Sequence, residues 1–132
     1  MQEMRSFKIL SKQKLDLGIL VGRYRDVGNA YLRAGVLTID DRNGLTFHID
    51  PTASEAPFKD YEPEQLARLR ALVGRPAVAL LQSESSPMIN LALSRFPVDG
   101  VFIENEHRVI FTVKEIQRRQ QLGQDWENVG KA

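Results

Sequence analysis

The chain has 132 residues, 42% of them hydrophobic and 27% charged, the composition of one globular domain with its own core rather than of a disordered chain. Its 18 basic and 17 acidic side chains nearly cancel, so no overall field draws in nucleic acid or an anionic membrane, and such binding needs a local patch. Cysteine is absent, which excludes disulfides, cysteine nucleophiles and thiolate metal sites.

The longest apolar run near the N-terminus, Leu17 to Gly22, is far short of the ~20 residues that span a bilayer. No extended apolar segment follows Arg5, Lys8, Lys12 and Lys14 as a secretion signal would require. A cytoplasmic location is the expectation, with export under a removed signal as the alternative. Residues 1–14 are expected to be a basic polar lead-in, residues 15–123 one β-rich domain, and residues 124–132 a polar tail with one aromatic, Trp126.

Leu15, Leu17, Ile19 and Val21 alternate with Asp16, Gly18, Leu20 and Gly22, the period of a half-buried strand. A turn at Gly28-Asn29 leads to a second strand over Ala30 to Asp40, whose apolar positions change parity near Gly35; a glycine there predicts a bulge. The turn Asp40-Asp41-Arg42-Asn43-Gly44 then leads to a third strand with Leu45, Phe47 and Ile49 on one face. Aligned as a calcium loop, the turn has Ile39 at its first ligand position, where a carboxylate is needed, so a hairpin is expected instead.

Pro51 to Tyr61 reads as a loop. Glu62, Pro63 and Glu64 open a helix with an apolar stripe of Leu66, Leu69, Leu72 and Val73, and Gly74 stops it. Ala77 to Leu81 predicts a buried strand, and Met88 to Ser94 another with Ile89, Leu91 and Leu93 inward. A final hairpin runs from Gly100 to Val113 about a polar turn at Glu104 to His107, and a polar helix follows from Glu115 to Leu122. The expected class is mainly β (α+β). The expected form is a small open barrel of about seven strands, with the OB-like order of three strands, helix and two strands, plus a C-terminal hairpin and helix. SH3-like and pleckstrin-like barrels are the alternatives. Such a match is to an architecture and brings no functional residues with it.

No catalytic motif is present. Ser83, Ser85 and Ser86 lack a nucleophile elbow, and no phosphate-cradling glycine loop occurs. His48 and His107 fall short of the three or four ligands of a zinc site, so neither a metal nor a cofactor is expected.

Two surfaces suggest binding. In the last hairpin, Phe102 and Ile110 lie opposite the face formed by Val101, Ile103, Val109, Phe111 and Val113, so both sides of that sheet are apolar and both need cover. Ile116 and Trp126 could supply cover from within, or the hairpin meets a protein partner or a second copy. The leading expectation is therefore a non-catalytic binding or adaptor domain acting through Phe102, Ile110, Ile116 and Trp126. The alternative is single-stranded nucleic-acid binding by Arg23, Tyr24, Arg25, Tyr31 and Arg33, aromatic and basic residues gathered at one rim if the first two strands pair.

Overall fold

The computed structural model describes residues 4–51, 58–59 and 61–131. Most of the loop expected at 51–61 lies outside these residues. Among the described residues seven strands form one antiparallel sheet: β1 (Arg5–Ser11), β2 (Gly28–Arg33), β3 (Val36–Asp41), β4 (Thr46–Asp50), β5 (Ala77–Ser83), β6 (Val101–Glu104) and β7 (Ile110–Thr112). Their spatial order is β2-β3-β4-β5-β1-β6-β7, so β2 and β7 are the edges. The described residues also form the helices α1 (Leu17–Val21), α2 (Pro63–Val73), α3 (Ser86–Ser94) and α4 (Val113–Gln121). The mainly β, α+β class holds, and the sheet is open rather than closed into a barrel. The number of strands agrees with the sequence, but the set of strands does not.

Residues 5–11 are not a lead-in; they form β1, which pairs with β5 on one side and β6 on the other. Phe7 and Ile9 enter the core. The basic character that suggested a lead-in is neutralised by buried acids: Arg5 Nη1 lies 2.7 Å from Glu127, and Lys8 Nζ 3.5 Å from Glu104.

The first expected strand is instead α1. Asp16 caps it by accepting from the Ile19 N–H at 3.1 Å, and Leu17, Leu20, Val21 and Tyr24 follow the helical i, i+3, i+4, i+7 spacing into the core. The long second strand is a hairpin. Ala34 and Gly35, with φ of +52° and +80°, form a two-residue turn between β2 and β3. The strand expected at 88–94 is also a helix, because Ser85 caps Met88 N–H and Pro87 starts the first turn. Met88, Ile89, Ala92 and Leu93 are its buried positions. As a result a single strand, β5, follows α2 before the last hairpin, so the element order departs from the OB-like expectation.

The helix α2 forms as read, with Glu62 and Gln65 closing a capping box ahead of Pro63. The polar helix α4 also forms, capped by Thr112.

One face of the sheet carries Phe7, Ile9, Leu37, Ile39, Phe47, Ile49, Leu81 and Ile103, packed against α1, α3, α4 and Trp126. On the other face α2 sets Leu69 and Val73 on Leu10, with Val78, Phe102 and Ile110 around them. The folded unit thus extends past 15–123 at both ends.

Candidate functional site

The two expected binding surfaces are rearranged. Phe102 and Ile110 pack under α2 within the chain. Ile116 and Trp126 are buried in the main core, with the Trp126 ring 5.0 Å from that of Phe7. The hairpin does have two apolar faces: the chain buries Val101 and Ile103 on one, and on the other Phe102 and Ile110 are partly buried against the cluster under α2. The cover on the Phe102 side is α2, not α4, which packs on the opposite face.

The expected basic-aromatic rim depended on strand pairing between residues 15–22 and the next strand, and α1 removes that pairing. Tyr24 is buried against Phe47 at 5.1 Å, and its O–H donates to the Ala92 carbonyl at 2.6 Å; burial pushes that hydroxyl's pKa upward. Arg23 Nη1 donates to the Arg95 carbonyl at 2.9 Å, and Arg95 returns a bond to the Arg23 carbonyl at 3.0 Å. Arg95 also pairs with Asp26, and that bond holds the Asp26 carboxyl below its usual range. These groups pin the turn after α1 to the end of α3. Arg25, Tyr31 and Arg33 stay exposed.

Tyr31 and Arg33 share the polar sheet face with Thr38, Asp40, Thr46 and His48, by the strand registers. Tyr31 O–H donates to Asp40 Oδ2 at 3.3 Å, Thr46 O–H to Asp40 Oδ1 at 2.7 Å, and Thr38 Oγ1 lies 2.9 Å from His48 Nδ1. The carboxylate at the centre makes this face poorly suited to phosphate.

The serines are used structurally. Ser83 O–H donates to the Thr46 carbonyl, Ser85 caps α3, and Ser86 O–H donates to Glu127. Asp41 Oδ1 accepts from the Asn43 and Leu45 N–H groups, each at 2.8 Å, which closes a hairpin turn. Among the described residues no group of three or more His, Asp or Glu is placed to hold a metal, and no helix is long and apolar enough to cross a membrane.

The open feature is the β2 edge. The registers build an apolar row across five strands: Phe7, Leu81, Ile49, Leu37 and Leu32. The first four are fully buried, whereas Leu32 ends the row 45% exposed. A hollow of about 550 Å³ beside it is lined by Lys14, Leu15, Leu17, Gly35 and Pro51 among others. Ile19, on the same short α1, is 69% exposed. Among the described residues only β3 pairs with β2, so alternate backbone N–H and C=O groups of β2 face outward without a strand partner. The opposite edge, β7, has only three residues and runs directly into α4.

Sequence reasoning missed this edge because it ran Ala30 to Asp40 as one strand with a bulge near Gly35. The available signal was length: eleven residues is about twice an ordinary strand, and a small Ala-Gly pair at the middle suits a turn. No family, curated protein or solved structure matches this chain.

Proposed function

We propose that this chain is a non-catalytic protein-binding domain that receives an extended segment of another chain along β2 by strand addition. The observation that carries the reading is the apolar row that ends in the open at Leu32 on an unpaired edge strand. Edge strands that must stay unpaired are blunted by lysine, proline or a bulge. The sequence of β2, Gly-Asn-Ala-Tyr-Leu-Arg, has neither lysine nor proline and a single charge, Arg33 at its end, and its register with β3 is unbroken. Backbone bonds to the edge supply affinity, and side chains alternating between the Leu32 and Tyr31 faces supply selectivity.

The experiment is selection of binders from a random-peptide display library against the intact chain, mapped by amide exchange. Binders are expected to protect Gly28 to Arg33 and to lose affinity for Leu32→Lys. Peptides that map to another surface, or indifference to Leu32→Lys, would overturn the reading. The nucleic-acid alternative retains Arg25, Tyr31 and Arg33 as exposed residues, with Tyr31 bonded to the Asp40 carboxylate and Tyr24 buried.

A further inference from the structure

We infer that the segment received at the β2 edge is β2 of a second copy, paired antiparallel about a two-fold axis at Tyr31. This rests on the strand-addition reading and names the partner for it. Such a contact is isologous, the commonest form in symmetric oligomers.

The argument is self-complementarity in register. With Tyr31 opposite the partner's Tyr31, Leu32 falls opposite the partner's Ala30 and Arg33 opposite its Asn29. Within one chain, Ala30 is already opposite Ile39, Leu32 opposite Leu37, and Asn29 opposite Asp40. The apolar face therefore continues across the junction as Leu37, Leu32, then Ala30 and Ile39 of the second copy. Large Leu32 meets small Ala30 twice, once on each side of the axis. Both are apolar positions of the core face: Ala30 packs against the core, and Leu32 is its exposed end.

On the other face, the row runs from Arg33 across the partner's Asn29 to the partner's Asp40. Two strand spacings separate Arg33 from that carboxylate, about 10 Å between Cα atoms, within the combined reach of an arginine and an aspartate. The pairing occurs twice by symmetry and places opposite charges along one cross-strand row. Within one chain, among the described residues, no ion pair forms at Arg33; its guanidinium lies 6.0 Å from the Tyr31 ring centroid. The hairpin parity is also compatible. A two-residue turn makes Arg33 and Val36 a hydrogen-bonded pair, so the next residue, Leu32, directs its backbone groups outward, as does Ala30. In the two-fold register those residues face each other.

The test uses the full chain, its mass measured by sedimentation from micromolar to millimolar concentration, together with Tyr31→Cys. The sequence has no cysteine of its own, and residues facing each other across a strand pair lie within disulfide range. The expected result is a dimer whose dissociation constant rises about tenfold or more with Leu32→Lys and with Arg33→Glu. Tyr31→Cys should form a covalent dimer on mild oxidation, while Arg42→Cys, in the β3–β4 turn, should not. A monomer at millimolar concentration would overturn the second copy. So would a dimer that tolerates both charge changes and gives no Tyr31→Cys cross-link. If the chain is monomeric but display-selected peptides still protect Gly28 to Arg33, the second copy fails and strand addition stands. If those peptides also avoid β2, both fail.

Discussion

The indole N–H of Trp126 donates to Asn90 Oδ1 at 2.8 Å, joining the C-terminal segment to the middle of α3. Asn105, in the turn after β6, holds the same segment from the other side: its Nδ2 donates to the carbonyls of Trp126 at 2.9 Å and Val129 at 2.8 Å. Its Oδ1 meanwhile accepts from the His107 and Val109 N–H groups. One side chain thus shapes the β6–β7 turn and locks the tail beneath it. Deleting Trp126 opens a cavity beside Phe7 and Phe111. Trp126→Ala is expected to cost about 3–5 kcal/mol, as large-to-small changes in cores do. Trp126→Phe keeps most of the packing, and Gln120 still donates to Asn90 Oδ1 at 3.1 Å, so the loss should be nearer 1 kcal/mol for the missing bond. Urea denaturation of both variants measures the difference; equal losses would mean that packing is not what the indole contributes.

The Ala34-Gly35 turn gives a prediction that separates a hairpin from a bent strand. Ala34 sits at φ +52°, a conformation that is costly for alanine and tolerated by asparagine. Ala34→Asn creates the Asn-Gly pair favoured in two-residue hairpins and should stabilise the fold by about 1 kcal/mol. In the interior of one continuous strand the same substitution would destabilise, so the sign of the change in denaturation midpoint decides.

The covered hairpin face predicts where truncations act. Leu69 on α2 is buried against Leu10 in the cluster that includes Phe102. Leu69→Ala should cost about 2–3 kcal/mol, and Phe102→Ala a comparable amount, because each leaves a gap between α2 and the sheet. Neither should change the mass of the protein in solution. A shift in oligomeric state without loss of stability would place a partner, rather than α2, on Phe102.

Glu127 supplies a pH dependence. Burial pushes its carboxyl above the usual range, outweighing the opposing pull of Arg5 and the Ser86 hydroxyl, and its buried Oε1 has no hydrogen-bond partner among the described residues. The folded chain therefore holds this proton more tightly than the unfolded chain does. The resulting stabilisation is fully present below the ordinary glutamate value and is lost as pH rises through the folded value. Glu127→Gln keeps an acceptor for Arg5 and removes the titration. Its stability should fall less than that of the parent between mildly acidic and neutral pH. Thermal melts across that range check this, and parallel curves for the two proteins would rule it out.

Local signals marked some elements well. Glu62-Pro63 and Gly74 bracket α2 in the sequence as in the fold, and the Asp41 to Gly44 turn and the strand that follows form as the alternation of Phe47 and Ile49 requires. The same alternation misled at Leu15 to Val21 and at Met88 to Ser94. Short apolar runs fit both a period of two and a helical spacing, and the caps at Asp16 and Ser85 settled them as helices. The candidate surfaces were less legible. Tyr24 reads as a rim aromatic until its hydroxyl is seen to bond the Ala92 carbonyl. Leu32 reads as one apolar position of a continuous strand until β2 proves to be the last in the sheet.

A β-rich α+β domain without cysteine chemistry, the helix α2 and a two-faced apolar hairpin are legible from residue order alone, because these depend on composition, caps and neighbours along the chain. The folded sheet was needed to show that β1 lies inside it, that Phe102 and Ile110 pack on the cluster under α2, and that β2 is left at an edge. Those facts depend on pairings between distant residues, such as Phe7 with Leu81 and Leu10 with Phe102. Local pattern cannot distinguish a strand with two neighbours from a strand with one. The unpaired side of β2, where function is proposed, is a property of the whole sheet.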